Sequence, residues 1–248
     1  MWAVRLANLI LFTQVTPHNW HIDLVHYVHK GGVDGSLSNH RPLALVEVFR
    51  KVVTSIVCDR LKRDFARLNI LDPTNPGFQT GRTTANSIFP LRIAGEHCLH
   101  TETELSALLD DLKWCFDTPA STVVELALRR LGVPMFYINM LNDNDLHSVK
   151  STVTANGTTV DVVGMIHRQL HGTGQGTVEG PINWIPVADI AIAVARARST
   201  QPVAMPLGRG GVLEADRAWF VDDATLMHSC KLGSVLLPLC KQRWMGRA

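Results

Sequence analysis

No two cysteines in this 248-residue chain stand at CxxC spacing, and the five present (Cys58, Cys98, Cys115, Cys230 and Cys240) are an odd number. Both features argue against a disulfide scaffold and against a zinc ribbon, and fit a chain kept reduced inside a cell. No apolar run is long enough to cross a bilayer. The opening Met1–Phe12 is apolar but well short of the roughly 20 residues a span requires, and it has no convincing cleavage site, so a soluble chain is expected. Internal periods and low-complexity tracts are also missing. So is a strong excess of charge: a net +2 is modest for a protein bound to nucleic acid along its whole surface, and any basic footprint must be local. What remains is a chain with ample apolar content for the core of one large domain or two small ones.

One basic segment exists. Arg41, Arg50, Lys51, Arg60, Lys62, Arg63 and Arg67 stand against Glu47, Asp59 and Asp64, a local excess of four positive charges. Pro42 suits the first turn of a helix, and Leu45, Val48, Phe49, Val52, Ile56, Leu61, Phe65 and Leu68 then recur at helical spacing. One face should pack while the basic face looks outward. Just upstream, Ile22–Val28 alternates as a strand leading into Lys30-Gly31-Gly32. His18, His21, His26 and His29 cluster there in sequence, but His26 and His29 fall on opposite faces of a strand, so zinc is not expected.

Further on, Asp72–Gly77 breaks the helical pattern and Phe78–Thr84 forms a polar loop before a second helical stretch. Pro90 inside that stretch predicts a kink or a boundary, since an interior proline costs about 3 kcal/mol. Leu105–Leu109 reads as a central strand ending at Asp110-Asp111. Thr118 is placed as a cap and Pro119 at the first position of a helix with Val123, Val124, Leu126, Ala127 and Leu131 as its apolar face. Arg129 and Arg130 fall in its last turn and Gly132 ends it. A second helix is expected from Pro134 to about Asn142, a hairpin around Asn156-Gly157, and an apolar helix from about Ile182 to Ala195.

Arg217–Met227 then sets Asp222-Asp223 between two short β-prone runs, which predicts a hairpin with acids at its tip. Adjacent carboxylates repel by about 4 kcal/mol at 4 Å and an effective dielectric near 20, so such a tip is wet or holds a cation. With the strand that ends at Asp111, the pattern is an α+β, palm-like arrangement of helices and antiparallel hairpins. Three carboxylates from two strand ends can hold a pair of divalent cations of the Mg²⁺ type, with Mn²⁺ as an alternative ion. Polymerases and nucleases both use such acids, so the acids alone leave the two open.

Ser38–Leu45, Gly77–Thr84, Asp111–Asp117, Gly174-Gln175-Gly176 with Gly180-Pro181, and Phe220–Asp223 resemble, in order and approximate spacing, the successive motifs of reverse transcriptases from non-LTR (LINE-type) retrotransposons. The resemblance runs from about Pro17 to Ser229. It implies a right-hand polymerase: a fingers-like segment over residues 1–104, a palm over 105–230 interleaved with it, and a short tail over 231–248 without a thumb. By this resemblance Asp111, Asp222 and Asp223 are the metal-binding catalytic acids, and the backbone of Leu112 faces a metal or the triphosphate. Lys30 and Arg41 grip the triphosphate, Phe116 excludes a 2′-hydroxyl, and Gln175 and Gly176 border the nascent base pair. Asp117 is read as capping the following helix with Thr118.

The implied partners are an RNA template, a DNA primer and deoxynucleoside triphosphates, with no membrane, and flanking retroelement domains are expected to be absent. Asn75 stands where the family usually has Gln, and Glu179 makes its stretch more acidic than usual; Asn75 and Pro90 are expected not to touch the metal site, and Glu179 to weaken template or nucleotide binding. Two alternatives stand beside the polymerase: an inactive remnant of a decayed element, and a nucleic-acid-binding module that does no chemistry.

Overall fold

The computed structural model of the chain describes residues 2–32, 39–112, 115–116, 118–146, 149–154, 157–158, 172, 174–198, 203–206 and 210–230. In chain order, the first half carries α1 (Trp2–Thr13), a 3-10 turn (His18–His21), β1 (Ile22–His29), β2 (His40–Leu45), α2 (Val48–Leu68), α3 (Ala85–His100) and β3 (Glu104–Asp111). The second half carries α4 (Ser121–Arg130), α5 (Met135–Leu146), β4 (Val149–Thr154), β5 (Gly157–Thr158), α6 (Gly180–Arg198), β6 (Val203–Pro206), β7 (Val212–Ala215), β8 (Arg217–Phe220) and β9 (Asp223–Cys230). The chain is thus mixed α and β, and it divides into two compact units assembled from separated stretches. The first takes Met1–Pro73, Phe78–Gly81 and Lys113–Val194; the second takes Thr74–Gly77, Arg82–Leu112 and Ala195–Ala248. The expected tail over 231–248 lies outside the described residues. Among the described residues no helix is long and apolar enough to cross a membrane.

In the first unit, β1 lies between β2, antiparallel to it, and β4, parallel to it, and β5 closes the order β2-β1-β4-β5. The Asn156-Gly157 signal gives the β4–β5 pairing, although residues 155–156 lie outside the described set. Pro42 is not in a helix: it sits in β2 opposite Tyr27. Two residues on, the Ala44 amide points away from β1 to the Gln175 carbonyl (2.7 Å), so the nitrogen of Pro42 also faces away from the ladder. An outer strand tolerates proline in that orientation because no ladder bond is lost.

The α2 helix starts instead at Val48, where the Glu47 carboxylate caps it by accepting from the Arg50 amide (2.7 Å). Its buried stripe is Arg50, Val53, Thr54, Val57, Cys58, Leu61 and Phe65. Val48, Val52, Ile56 and Leu68, expected to pack, are exposed instead. The stripe is turned because Arg50 is inside, ion-paired as described below, and the residues that share its face go in with it. Val57, Leu61 and Phe65 meet Val124 and Leu128 of α4, Ile138 and Leu141 of α5 and Ile182 of α6 in one core. The α4 helix begins at Ser121, after Ala120, without a side-chain cap; Pro119 instead gives its carbonyl to the Gly172 amide (2.8 Å). At its other end Gly132 takes φ +77°, the left-handed geometry that stops a helix. His21 Nε2 meets Thr16 Oγ1 (2.7 Å) and the Asp143 carboxylate (3.3 Å), which ties the 3-10 turn to α5.

In the second unit α3 runs through Pro90 without a boundary. The carbonyl deprived of its partner belongs to Asn86, in the exposed first turn, where water can replace the bond. The sheet order is β3-β9-β8, antiparallel throughout. So among the described residues β3 is an edge strand rather than a central one, and Leu108 and Leu109 are exposed. The longer hairpin strand β9 takes the centre, pairing with β3 on one side and β8 on the other. Ala94 and Cys98 of α3 pack with Val203, Met205, Ala215 and Met227 to form this unit's core.

Candidate functional site

The acids meet at one end of the β3-β9-β8 sheet. Phe220 pairs with Asp223, leaving Val221 and Asp222 as a two-residue turn between β8 and β9. On the other side of β9, Asp223 pairs with Asp111. Directly opposed residues of antiparallel strands have Cα atoms about 4.5–5.5 Å apart and side chains on the same face. The register therefore aligns Asp111 and Asp223 on one face, one residue from Asp222, and sends Asp110, opposite Ala224, to the other. Leu112 continues the pairing by donating its amide to the Asp222 carbonyl (3.1 Å).

Partial burial pushes the Asp222 carboxyl above the ordinary carboxylate range; a hydrogen bond from its own backbone amide opposes the shift, and the negative charges of Asp223 and Asp111 reinforce it. This concentration of negative charge and hard oxygen donors suits a divalent cation of the Mg²⁺ type. Among the described residues no three His, Cys, Asp or Glu side chains already surround one point. Backbone register gathers the acids; the side chains are not a finished ligand set.

The turn is braced from outside the sheet. Val221 has φ +59°, a conformation that a β-branched residue adopts at a cost of about 1–3 kcal/mol. Facing the open edge of β8 is the segment 74–77. The Thr74 carbonyl accepts from the Trp219 amide (3.0 Å), and two residues on, Asn75 Oδ1 accepts from the Val221 amide (3.3 Å) and from the Gly77 amide (3.1 Å). Gly77 lies so close that a Cβ there would stand 2.9 Å from Val221 Cγ2. From α3, Ser87 Oγ donates to the Trp219 carbonyl (2.7 Å), and Trp219 Nε1 donates to the Val221 carbonyl (3.0 Å). Asn75, expected not to touch the metal site, holds the residue next to Asp222. The polar, proline-flanked segment read as a loop, and nothing local in the sequence marks its docking on a strand 146 residues away.

The nucleotide-binding residues implied by resemblance, other than Leu112, belong to the first unit. Lys30 pairs by its amide with the Asn39 carbonyl (2.7 Å), and Arg41 lies opposite Val28, so the two exposed cations share one face of the β1–β2 hairpin. Gln175 and Gly176 run along the outer side of β2: the Gln175 carbonyl takes the Ala44 amide, and a Cβ on Gly176 (φ +102°) would come within 3.1 Å of the Ala44 carbonyl. Close backbone approach here is to a strand of this same chain. Phe116 is half-buried, its ring edge-on to Phe78 (centroids 6.0 Å apart) and tilted against Trp184 (6.5 Å). Asp117 lies outside the described residues.

No protein-family model matches the chain, nor does any curated protein. Solved structures do. The fold is shared with telomerase. An apo telomerase from Candida tropicalis, truncated from its C-terminal domain, aligns with a TM-score of 0.53 at 10% identity over 92% of this chain and 48% of that one. A telomerase from Candida albicans, in complex with the TWJ fragment of telomeric RNA, aligns with a TM-score of 0.52 at 10% identity over 92% of this chain and 42% of that one. The chain therefore spans less than half the length of either telomerase chain.

Two further residues escaped the sequence reading. Arg50, counted in the basic surface, is fully buried: its guanidinium donates to the Asp23 carboxylate (2.7 Å), the Glu179 carboxylate (2.5 Å) and the Trp20 carbonyl (2.6 Å). Glu179, expected to disturb template or nucleotide binding, is spent on this ion pair instead and is likewise buried. Burial, then the neighbouring Glu179 charge, pushes the Cys58 thiol up to about 12, so Cys58 is an inert core residue.

Proposed function

We propose that this chain is the fingers-and-palm portion of an RNA-directed DNA polymerase of the non-LTR retroelement type. The observation that carries the reading is the register that aligns Asp111 with Asp223 beside the Asp222 tip. The shared fold supports it, because telomerase is a reverse-transcriptase-related polymerase, and one of the matched structures holds RNA. The ordered series of motifs adds the retroelement character.

In this reading Asp111 and Asp222 each give carboxylate oxygens to Mg²⁺, and Asp223, exposed at the start of β9, completes the acidic field. Two bound ions would lower the cost of ionising a primer 3′-hydroxyl and offset charge on departing pyrophosphate. The protein's own part is placement. The β3–β9 ladder sets the backbone of Asp111 and Asp223, and the braced turn that of Asp222, so ion binding would turn the acid side chains while the backbone that carries them stays in place. Lys30 and Arg41 supply positive charge for a triphosphate. Phe116, held by Phe78 and Trp184, supplies a rigid ring against the sugar edge, which favours deoxynucleotides.

The test is extension of a DNA primer on an RNA template with Mg²⁺ and deoxynucleotides, comparing the chain with Asp222→Ala. Template-dependent extension that falls at least about a hundredfold in the variant is expected. Extension equal in both, or none by a folded chain even when it is lengthened by its native flanking sequence, would overturn the reading and leave a fold without this chemistry.

A further inference from the structure

The turn that carries Asp222 has an unusual combination of features. Its first residue is β-branched yet left-handed, at φ +59°, and the hairpin closes around it with only two loop residues. Such a conformation persists only when the surroundings over-determine it. Among the described strands β8 is the edge of its sheet, and on that side the amides of Trp219 and Val221 both point outward. A neighbouring strand would meet them with main-chain carbonyls from two residues that stand two apart, because successive carbonyls point to opposite sides. Here the first acceptor is the main-chain carbonyl of Thr74, but the second is the side-chain oxygen of Asn75.

We propose that Asn75 is the positioning residue of the acid turn: its side-chain carbonyl stands in for a strand carbonyl, holds Val221 in the left-handed conformation and so sets where the Asp222 carboxylate stands. The side chain is built for that task. It is 5% exposed, and the Gly77 amide fixes the same oxygen from the other side. Gly77, by lacking a Cβ, lets the segment come this near to Val221. Pro76 between them is rigid and presents no competing amide. Asparagine is short enough for its Oδ1 to serve both amides within the turn of its own backbone.

The proposal rests on the reading of Asp222 as a metal-binding acid, and two measurements on the full chain keep the two claims apart. The first is hydrogen exchange at the Val221 amide, followed by NMR. Exchange about tenfold faster in Asn75→Ala, with the amides of the first unit's core unchanged, is expected from the loss of that one acceptor. Unchanged protection of Val221 would overturn the proposal.

The second is Mn²⁺ binding, counted from the free-ion EPR signal, with Asp222→Asn defining the site. Asn75→Ala should weaken binding about tenfold, as loss of an outer support typically does. Adding Val221→Gly to Asn75→Ala should bring it back to within about threefold, because glycine takes the left-handed conformation without being held. A merely structural role in the 74–77 segment would leave that loss uncorrected, and such a result would overturn the proposal. Mn²⁺ binding that is identical in the unaltered chain and in Asp222→Asn would refute the reading of the acids, while the exchange measurement would still decide the role of Asn75.

Discussion

At Asp222 the folded chain works against ionisation. Burial and two neighbouring carboxylates raise its pKa above the unfolded value of about 3.9. A raised acid binds its proton more tightly in the folded state. Its contribution to stability is therefore greatest below the unfolded pKa and is lost as pH rises through the folded one. At pH 7 without metal, the ionised side chain is a burden on the turn. Asp222→Asn should raise the melting temperature of the metal-free chain at pH 7 by a small amount, under about 1 kcal/mol in stability because solvent screens the partly exposed group. Near pH 3, where the acid is protonated in both states, the gain should vanish. Thermal melts of both proteins at the two pH values check this, and an asparagine variant less stable at pH 7 would contradict it. The same repulsion that weakens the empty turn favours a cation, so added Mg²⁺ should shrink the variant's advantage.

Among the elements, Arg50 joins three that are far apart in sequence. It lies in the first turn of α2, its partner Asp23 lies in β1, and Glu179 follows the Gln175-Gly176 loop, 27 and 129 residues away respectively. Truncating one member of a buried ion cluster strands the others without compensation, so Arg50→Ala should lose about 3–5 kcal/mol in urea denaturation. A loss below about 1 kcal/mol would mean that Asp23 and Glu179 are solvated after all. The cluster also shows where reading the sequence stops. Signals that act within a few residues were legible: Gly132 as a helix stop, the β4–β5 pairing, the acids between two β-prone runs. Arg50 was not, because an arginine among lysines and arginines at helical spacing looks like surface, and only partners brought by the tertiary fold reverse that. The misplaced apolar face of α2 followed from the same residue. For Pro42 the missing information was that, among the described residues, β2 has a strand partner on one side only. For Asn75 it was that a side chain can serve as a strand's carbonyl across 146 residues.

Across the whole molecule the net charge is low, and the nucleic-acid binding proposed above would have to come from particular surfaces. With Arg50 buried, the segment from Arg41 to Arg67 keeps six cations against Glu47, Asp59 and Asp64, an excess of three rather than four. Arg67 is paired with Asp64 (3.0 Å), which further moderates the field. If about three phosphates are neutralised, the logarithm of the affinity for single-stranded RNA should fall with the logarithm of salt at a slope of about −2. Asp222→Ala should leave both affinity and slope nearly unchanged when no divalent ion is present, because the acids contribute nothing attractive to a polyanion. Fluorescence anisotropy across roughly 50–300 mM monovalent salt reads the slope. A slope near zero would mean that the basic segment does not meet the phosphates at all. Combined with primer extension, this separates the remaining possibilities: a polymerase loses extension but keeps its slope in Asp222→Ala, whereas a binding module keeps the slope and extends no primer in either form.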